Sequence, residues 1–275
     1  LLIIGGNVLE VKAMEKIDEI KITEAIFEGY MKNLHEATET DAAVVGAGPA
    51  GMTSAYYLAK EGVKTVIFER KLCISGGMCM WGGGMGFSRI VVQEGGRSIL
   101  NEFGVSVQEY KEGYWIGDAV EAVATIASKA IRAGARLFDM VSVEDVVIRD
   151  GDKISGLVLN WSSAGLTNLH IDPLTIRTKM IIDATGHDCE VCRVLSKKIG
   201  LKLKTETEEV IKKKPMWAEV GEKAILENTK EIYPGLIVAG MSANVVFGSP
   251  RIGQLFGTLL VSGKKAAEII LEELR

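Results

Sequence analysis

The spacing of apolar and polar positions changes several times along the chain. From Glu15 to Glu36, Ile17, Ile20, Ile22, Ala25, Ile26, Tyr30 and Leu34 recur among charges at helical spacing, which predicts one or two amphipathic surface helices. The run Asp41-Ala42-Ala43-Val44-Val45 then reads as a buried strand, Gly46 to Gly51 as a tight turn, and Met52 to Lys60 as a helix ending at Gly62. With a second apolar strand over Val63–Phe68, residues 41–70 make one βαβ unit. Residues 71–88 have no regular period and predict a loop. Asp118 with Glu121 predicts a capping box opening a helix over Val120–Arg132 that Gly134 ends. Alternating runs over Val141–Ile148 and Ile154–Leu159 flank Asp150-Gly151, the signal of a β-hairpin. Buried strands are expected over Lys179–Ala184 and Gly235–Ala239, and a long closing helix over Ile252–Leu274. With no repeat and no linker, the expectation is a single α/β domain over 1–275, with N-terminal helices at 14–40 and residues 1–13 a leader or start-site extension.

The turn Gly46-Ala47-Gly48-Pro49-Ala50-Gly51 carries the GxGxxG spacing, which alone is weak. Its place between a strand and a helix, with Glu69 closing the next strand, makes it specific. Gly46 permits the turn, Gly48 lets backbone approach a pyrophosphate, Gly51 allows close helix packing, and Glu69 accepts from ribose hydroxyls. The acid ahead of Arg70 argues for NAD over NADP.

Composition narrows the classes. There are 32 Lys+Arg against 36 Asp+Glu, a net charge of −4, which argues against a general nucleic-acid binder. No stretch reads as a membrane span, and the four cysteines suit a reducing cytoplasm rather than a disulfide framework. Glycine is over-represented, 31 residues or about 11% where roughly 7% is usual, and it crowds the turn and residues 76–86.

The strand ending Asp183-Ala184-Thr185-Gly186, after a hairpin, resembles the FAD/NAD-binding Rossmann-like proteins. The resemblance implies a three-layer α/β fold with a parallel central sheet and a β-hairpin or meander insertion. Their last strand ends in Gly-Asp, whose Asp touches the flavin; here the pair is Gly240-Met241, which favours NAD over a flavin.

Five stretches together resemble the thiamine thiazole synthases of the Thi4 family. They are Val45–Gly51, Trp81-Gly82-Gly83-Gly84-Met85-Gly86-Phe87, His170-Ile171-Asp172-Pro173, Asp183–Asp188 and Pro250-Arg251-Ile252-Gly253, within a resemblance over about residues 15–272. It implies conversion of NAD and glycine, with a sulfur atom, into ADP-5-ethyl-4-methylthiazole-2-carboxylate, with nicotinamide released and NAD used as a substrate. The eukaryotic branch gives up the sulfur of a cysteine where this chain has His170. An imidazole has none to give, so the resemblance is to the sulfide-dependent, multiple-turnover branch that uses Fe(II). It implies that Asp172 and His187 hold the iron across adjacent subunits of a homo-oligomer, often an octamer. It also assigns Arg251 to the glycine carboxylate, and Ala50, Glu69, Arg70, Gly77, Val141, His170, Ile171 and Met241 to the dinucleotide. His170, Asp172 and His187 are then the expected catalytic residues. Imidazole and carboxylate suit Fe(II), and a guanidinium fork suits a carboxylate.

Cys189 and Cys192 read either as a redox or metal pair or, as favoured, as small buried residues on a helix after His187. Three other functions stand beside the main expectation. A ribose 1,5-bisphosphate isomerase needs two phosphate sites where one turn is evident, a flavin oxidoreductase is disfavoured by Met241, and a non-catalytic NAD-binding scaffold would hold the dinucleotide intact.

Overall fold

The computed structural model describes residues 2–4, 7–9, 17–74, 76, 87–149, 153–167, 169–199 and 214–275. They divide into two compact units, 1–36 and 37–275. The first holds an antiparallel pair, β1 (Leu2–Ile4) and β2 (Asn7–Leu9), and nearly all of α1 (Glu19–Ala37). The predicted helical stretch is thus one helix, and Asp18 accepts the N–H of Ile20 at 3.0 Å at its start. Apolar side chains of α1, among them Ile20, Phe27 and Met31, are exposed.

The second unit begins with β3 (Glu39–Val45), α2 (Pro49–Lys60) and β4 (Thr65–Phe68), the predicted βαβ unit. Then follow β5 (Arg89–Val92), α3 (Glu94–Phe103), β6 (Val107–Lys111), β7 (Tyr114–Asp118) and α4 (Ala119–Arg132). After β8 (Arg136–Phe138) come β9 (Val141–Arg149), β10 (Lys153–Trp161), α5 (Ser162–Thr167) and β11 (Leu174–Asp183). The last third holds α6 (Glu190–Ile199), α7 (Ala218–Asn228), β12 (Glu231–Tyr233), β13 (Leu236–Val238), α8 (Met241–Val246) and α9 (Gly257–Glu273).

The central sheet runs β12-β13-β11-β3-β4-β8, parallel from β13 to β8 with β12 antiparallel at the edge. β11 has two halves. Its residues 174–177 pair antiparallel with β10, which pairs in turn with β9, and its later residues pair with β3 and β13. Burial follows: alternate residues are covered in the first half, and Met180–Asp183 all are, as parallel strands between two layers require. One layer is α2, α3, α4 and α9 over Ala42, Val44, Ile67 and Ile182. On the other side, α6 packs on β9 and β11. This is the α/β Rossmann-like architecture, with the hairpin insertion the alternating runs predicted; its turn at 150–152 lies outside the described residues.

Two expectations change, and one sheet is new. Asp118 does cap α4, accepting from Val120 N at 2.8 Å and Glu121 N at 3.1 Å, but Glu121 does not close the box. Its carboxylate takes the N–H of Ser106 at 2.9 Å, tying α4 to the start of β6. The closing helix begins at Gly257, five residues after the predicted start. Residues 251–255 are extended instead, with Arg251 bridged to Met216, Leu255 bridged to Val91, and Gly253 at φ +74°. The three-stranded sheet β5-β7-β6 had no clear sequence signal, because its strands are short and β6 is mostly exposed. Among the described residues, no helix is long and apolar enough to cross a membrane.

Candidate active site

The C-terminal ends of β3, β4 and β11 meet at one cavity of about 460 Å³, within the usual range for small-molecule sites. At its floor β3 passes into the glycine turn. Gly46 has φ +101° and donates its N–H to Phe68 O at 2.8 Å, and a Cβ there would lie 2.6 Å from Ala184 O. A Cβ on Gly51 would lie 1.9 Å from Gly46 O. Only glycine fits either position, so the turn is fixed by space as well as by dihedral angle. α2 starts at Pro49 with no side chain capping it, which leaves its first-turn N–H groups facing the cavity as an anion site.

Glu69, buried at the end of β4, braces this turn. Its Oε2 accepts from Ala47 N at 2.8 Å and its Oε1 from Lys71 N at 2.9 Å. Val141 donates its N–H to Glu69 O at 3.0 Å, which brings the start of β9 to the cavity wall. Arg70 reaches across to the turn after β11, with Nη2 2.5 Å from Asp188 Oδ2 and Nη1 paired with Glu190.

That turn is held by Asp183, which is fully buried. Its Oδ1 accepts from Thr185 N (3.0 Å), Thr185 Oγ1 (2.7 Å) and Ser242 Oγ (3.0 Å), and its Oδ2 from Cys192 N (3.1 Å). One carboxylate thereby joins β11, α8 and α6 beneath His187, which sits in a 3-10 turn over Gly186–Asp188 and lines the cavity. Met241 and Arg251 line it too. Arg251 is placed by its main chain, donating to Pro215 O at 3.3 Å and accepting from Trp217 N at 3.1 Å. Buried Asn244 secures the neighbouring loop by donating to Gly221 O (2.8 Å) and Pro250 O (3.1 Å).

Of the sequence candidates, Gly46, Gly48, Ala50, Glu69, Arg70, Val141, His187, Met241 and Arg251 line this one cavity, and Gly51 packs beneath its turn. His170, Ile171 and Asp172 are not among its lining residues. They lie in an exposed segment before β11, with the His170 and Asp172 side chains 95% and 98% exposed and 3.8 Å apart. Gly77 and the loop 81–86 lie outside the described residues.

Asp183, Asp188, Glu190 and Asn244 were given no role from sequence. Asp183 did leave a trace, as an acid closing an apolar strand. Glu190 sits in no spacing motif. Burial pushes its carboxyl up to about 7; Arg70 opposes this, while the charges of Asp183, Asp188 and Glu69 add to it.

Cys189 is not on the helix, as the sequence suggested. It stands just before α6 in the left-handed region at φ 48°, while Cys192 lies in the first turn. Both are fully buried and, with Asp183, form a group whose ligand atoms lie within 4.8 Å of one another. Burial holds the Cys192 thiol well above its ordinary range. At Cys189 the hydrogen bond with Cys192 lowers the pKa, but burial and the Asp183 charge together outweigh it. The two thiols pack against Asp183, whose carboxylate already accepts four hydrogen bonds, in the turn under His187.

A parallel sheet whose first strand runs through a glycine turn into a helix, with a buried acid closing the next strand, places the protein in the Rossmann-like fold class. The Thi4 family's sequence profile matches residues 23–256, and the chain belongs to that family. It is 54% identical over 260 residues to the thiamine thiazole synthase of Methanothermobacter thermautotrophicus, covering 94% of this chain and 100% of that one. The crystal structure of Thermovibrio ammonificans THI4 superposes with a TM-score of 0.90 at 49% identity, over 94% of this chain and 99% of that one. A geranylgeranyl bacteriochlorophyll reductase-like protein of Thermoplasma acidophilum shares the fold alone, with a TM-score of 0.53 at 16% identity over 86% of this chain and 79% of that one.

Proposed function

We propose that this chain is a thiamine thiazole synthase that consumes NAD, glycine and free sulfide, releases nicotinamide and turns over repeatedly with Fe(II). The observation that carries the reading is one cavity lined by the pyrophosphate turn, the ribose acid Glu69, the imidazole of His187 and the guanidinium of Arg251. The α2 N-terminus takes the pyrophosphate, Glu69 accepts from the adenosine ribose, and Arg251 fixes the glycine carboxylate by a two-point contact. His187 and a neighbouring subunit's copy of Asp172 would hold the iron. The donors fit Fe(II) in kind, and the exposure of Asp172 suits a residue that completes another copy's site. When bound, the ion supplies a Lewis acid with positions open to small ligands. His170 stands where a sulfur-donating cysteine would be needed, so the sulfur comes from solution.

The test is anaerobic incubation of the protein with NAD, glycine, sulfide and Fe(II), followed by mass spectrometry of product and protein. Several product molecules per chain, with the protein mass unchanged, are expected. At most one product per chain, with loss of one sulfur from the protein, would sink the reading. His187→Ala should lose iron and product together; full iron occupancy in that variant would remove His187 from the ligand set.

A further inference from the structure

Arg70 directly follows the ribose acid, the place where dinucleotide sites that accept a 2′-phosphate keep an arginine free to bind it. Here that guanidinium is engaged. Nη2 lies 2.5 Å from Asp188 Oδ2 and Nη1 pairs with Glu190, and both carboxylates come from the turn that follows β11. Glu190 is the more buried partner, its side chain 19% exposed. All four of Glu69, Arg70, Asp188 and Glu190 line the cavity. Three acids surround Arg70, with Glu190 fully charged only above its raised value of about 7, while Lys71 and Arg251 line other parts of the cavity; Glu69 is itself buried and held by two backbone N–H groups. A 2′-phosphate would bring about −1.5 to −2 more charge to a place where the Arg70 guanidinium already has two carboxylate partners.

We propose that Asp188 and Glu190 are specificity-determining residues: by occupying Arg70 they make the cavity select a dinucleotide with a free ribose 2′-hydroxyl and reject its 2′-phosphorylated form. The assignment rests on the reading of this cavity as a dinucleotide site and adds the residues that choose between the two dinucleotides. An exposed ion pair is a weak device by itself. Arg70 has two carboxylate partners, and rejection draws also on the charge of Glu69, so discrimination comes more from repulsion than from the strength of the lock.

The experiment is calorimetric titration of the full chain with NAD and with NADP, at one pH and near-physiological salt. The unaltered protein should bind NAD at least about tenfold more tightly than NADP. In Asp188→Asn/Glu190→Gln the ratio should narrow by about tenfold or more through a gain in NADP affinity, and adding Arg70→Met should cancel that gain. Arg70→Met alone should shift NAD and NADP affinity together and leave their ratio within about threefold, because the guanidinium is already engaged and gives the 2′-phosphate nothing of its own. This arm stands even if the double variant fails to fold. Equal affinities in the unaltered protein, an unchanged ratio in a folded double variant, or a tenfold loss of NADP binding relative to NAD in Arg70→Met would each overturn the proposal. If neither dinucleotide binds, the reading of the cavity falls, and the proposal with it.

Discussion

Two buried carboxyl groups show what partners do to the cost of burial. Asp183 accepts four hydrogen bonds. Glu222, on α7, accepts from Thr258 on one oxygen, while its Oε1 is buried with no partner among the described residues. Burial pushes Glu222 up from 4.5 to about 7. Its folded pKa is therefore raised. Below pH 4.5 both folded and unfolded chains hold the proton and nothing is lost. As pH climbs toward 7 the unfolded chain releases its proton while the folded chain keeps it, so stability falls across that window and levels off above it. The whole loss is on the order of 3 kcal/mol. Glu222→Gln, which keeps the shape and cannot ionise, should match the unaltered protein in urea unfolding at pH 4.5 and exceed it by about 1–3 kcal/mol at pH 8. A stability difference that is the same at both pH values would discard this account. Sequence gave no hint of Glu222, since its position on α7 reads as an ordinary helix acid until the Thr258 end of α9 closes over it. Glu69, by contrast, was legible because strand, turn and acid stand at fixed offsets in one βαβ unit.

At the scale of elements, the site depends on how closely α9 approaches α2. A Cβ on Gly263 would lie 2.2 Å from Ala50 O, backbone on a helix that cannot yield without moving the pyrophosphate turn. Gly263→Ala should destabilise the fold by roughly 1–3 kcal/mol, as overpacking does. The urea midpoint should fall with the slope of the transition unchanged, and an undisturbed midpoint would mean that the helices separate freely. The same closeness explains what the sequence reading got right and wrong here. The small and apolar residues of α9 were readable as a helix, but its start was not. Ile252 and Leu255, three residues apart, continue the helical spacing, and what holds residues 251–255 extended is pairing with Met216 and Val91, distant in sequence. Nothing local records such bridges. The hairpin β9-β10 was legible for the opposite reason: its strands pair with each other and its register follows from their own alternation.

For the whole molecule, the exposure of His170 and Asp172 is the feature that a single copy leaves unexplained, since both are expected at a centre that the same chain's cavity does not include. The proposed site shared between subunits would account for it and makes a quantitative expectation. Asp172→Ala and His187→Ala should each be inactive alone. When the two are mixed in equal amounts and allowed to exchange subunits, about a quarter of the sites regain both ligands, so activity should recover to about a quarter of the unaltered level. No recovery, with exchange verified by mass, would place both residues in one subunit's chemistry or in none. A sequence could suggest the pair only through family resemblance, because partners on separate chains have no spacing to read.

Asp183 has a consequence for anyone mapping this protein by mutation. It touches three elements through four hydrogen bonds and is sealed from solvent, so every replacement disturbs the turn that carries His187. A survey scored only by growth or product would rank it beside the reacting groups. The two kinds of intolerance separate when soluble yield is scored in parallel: the brace fails with the fold, whereas a reacting group leaves folded and silent protein behind.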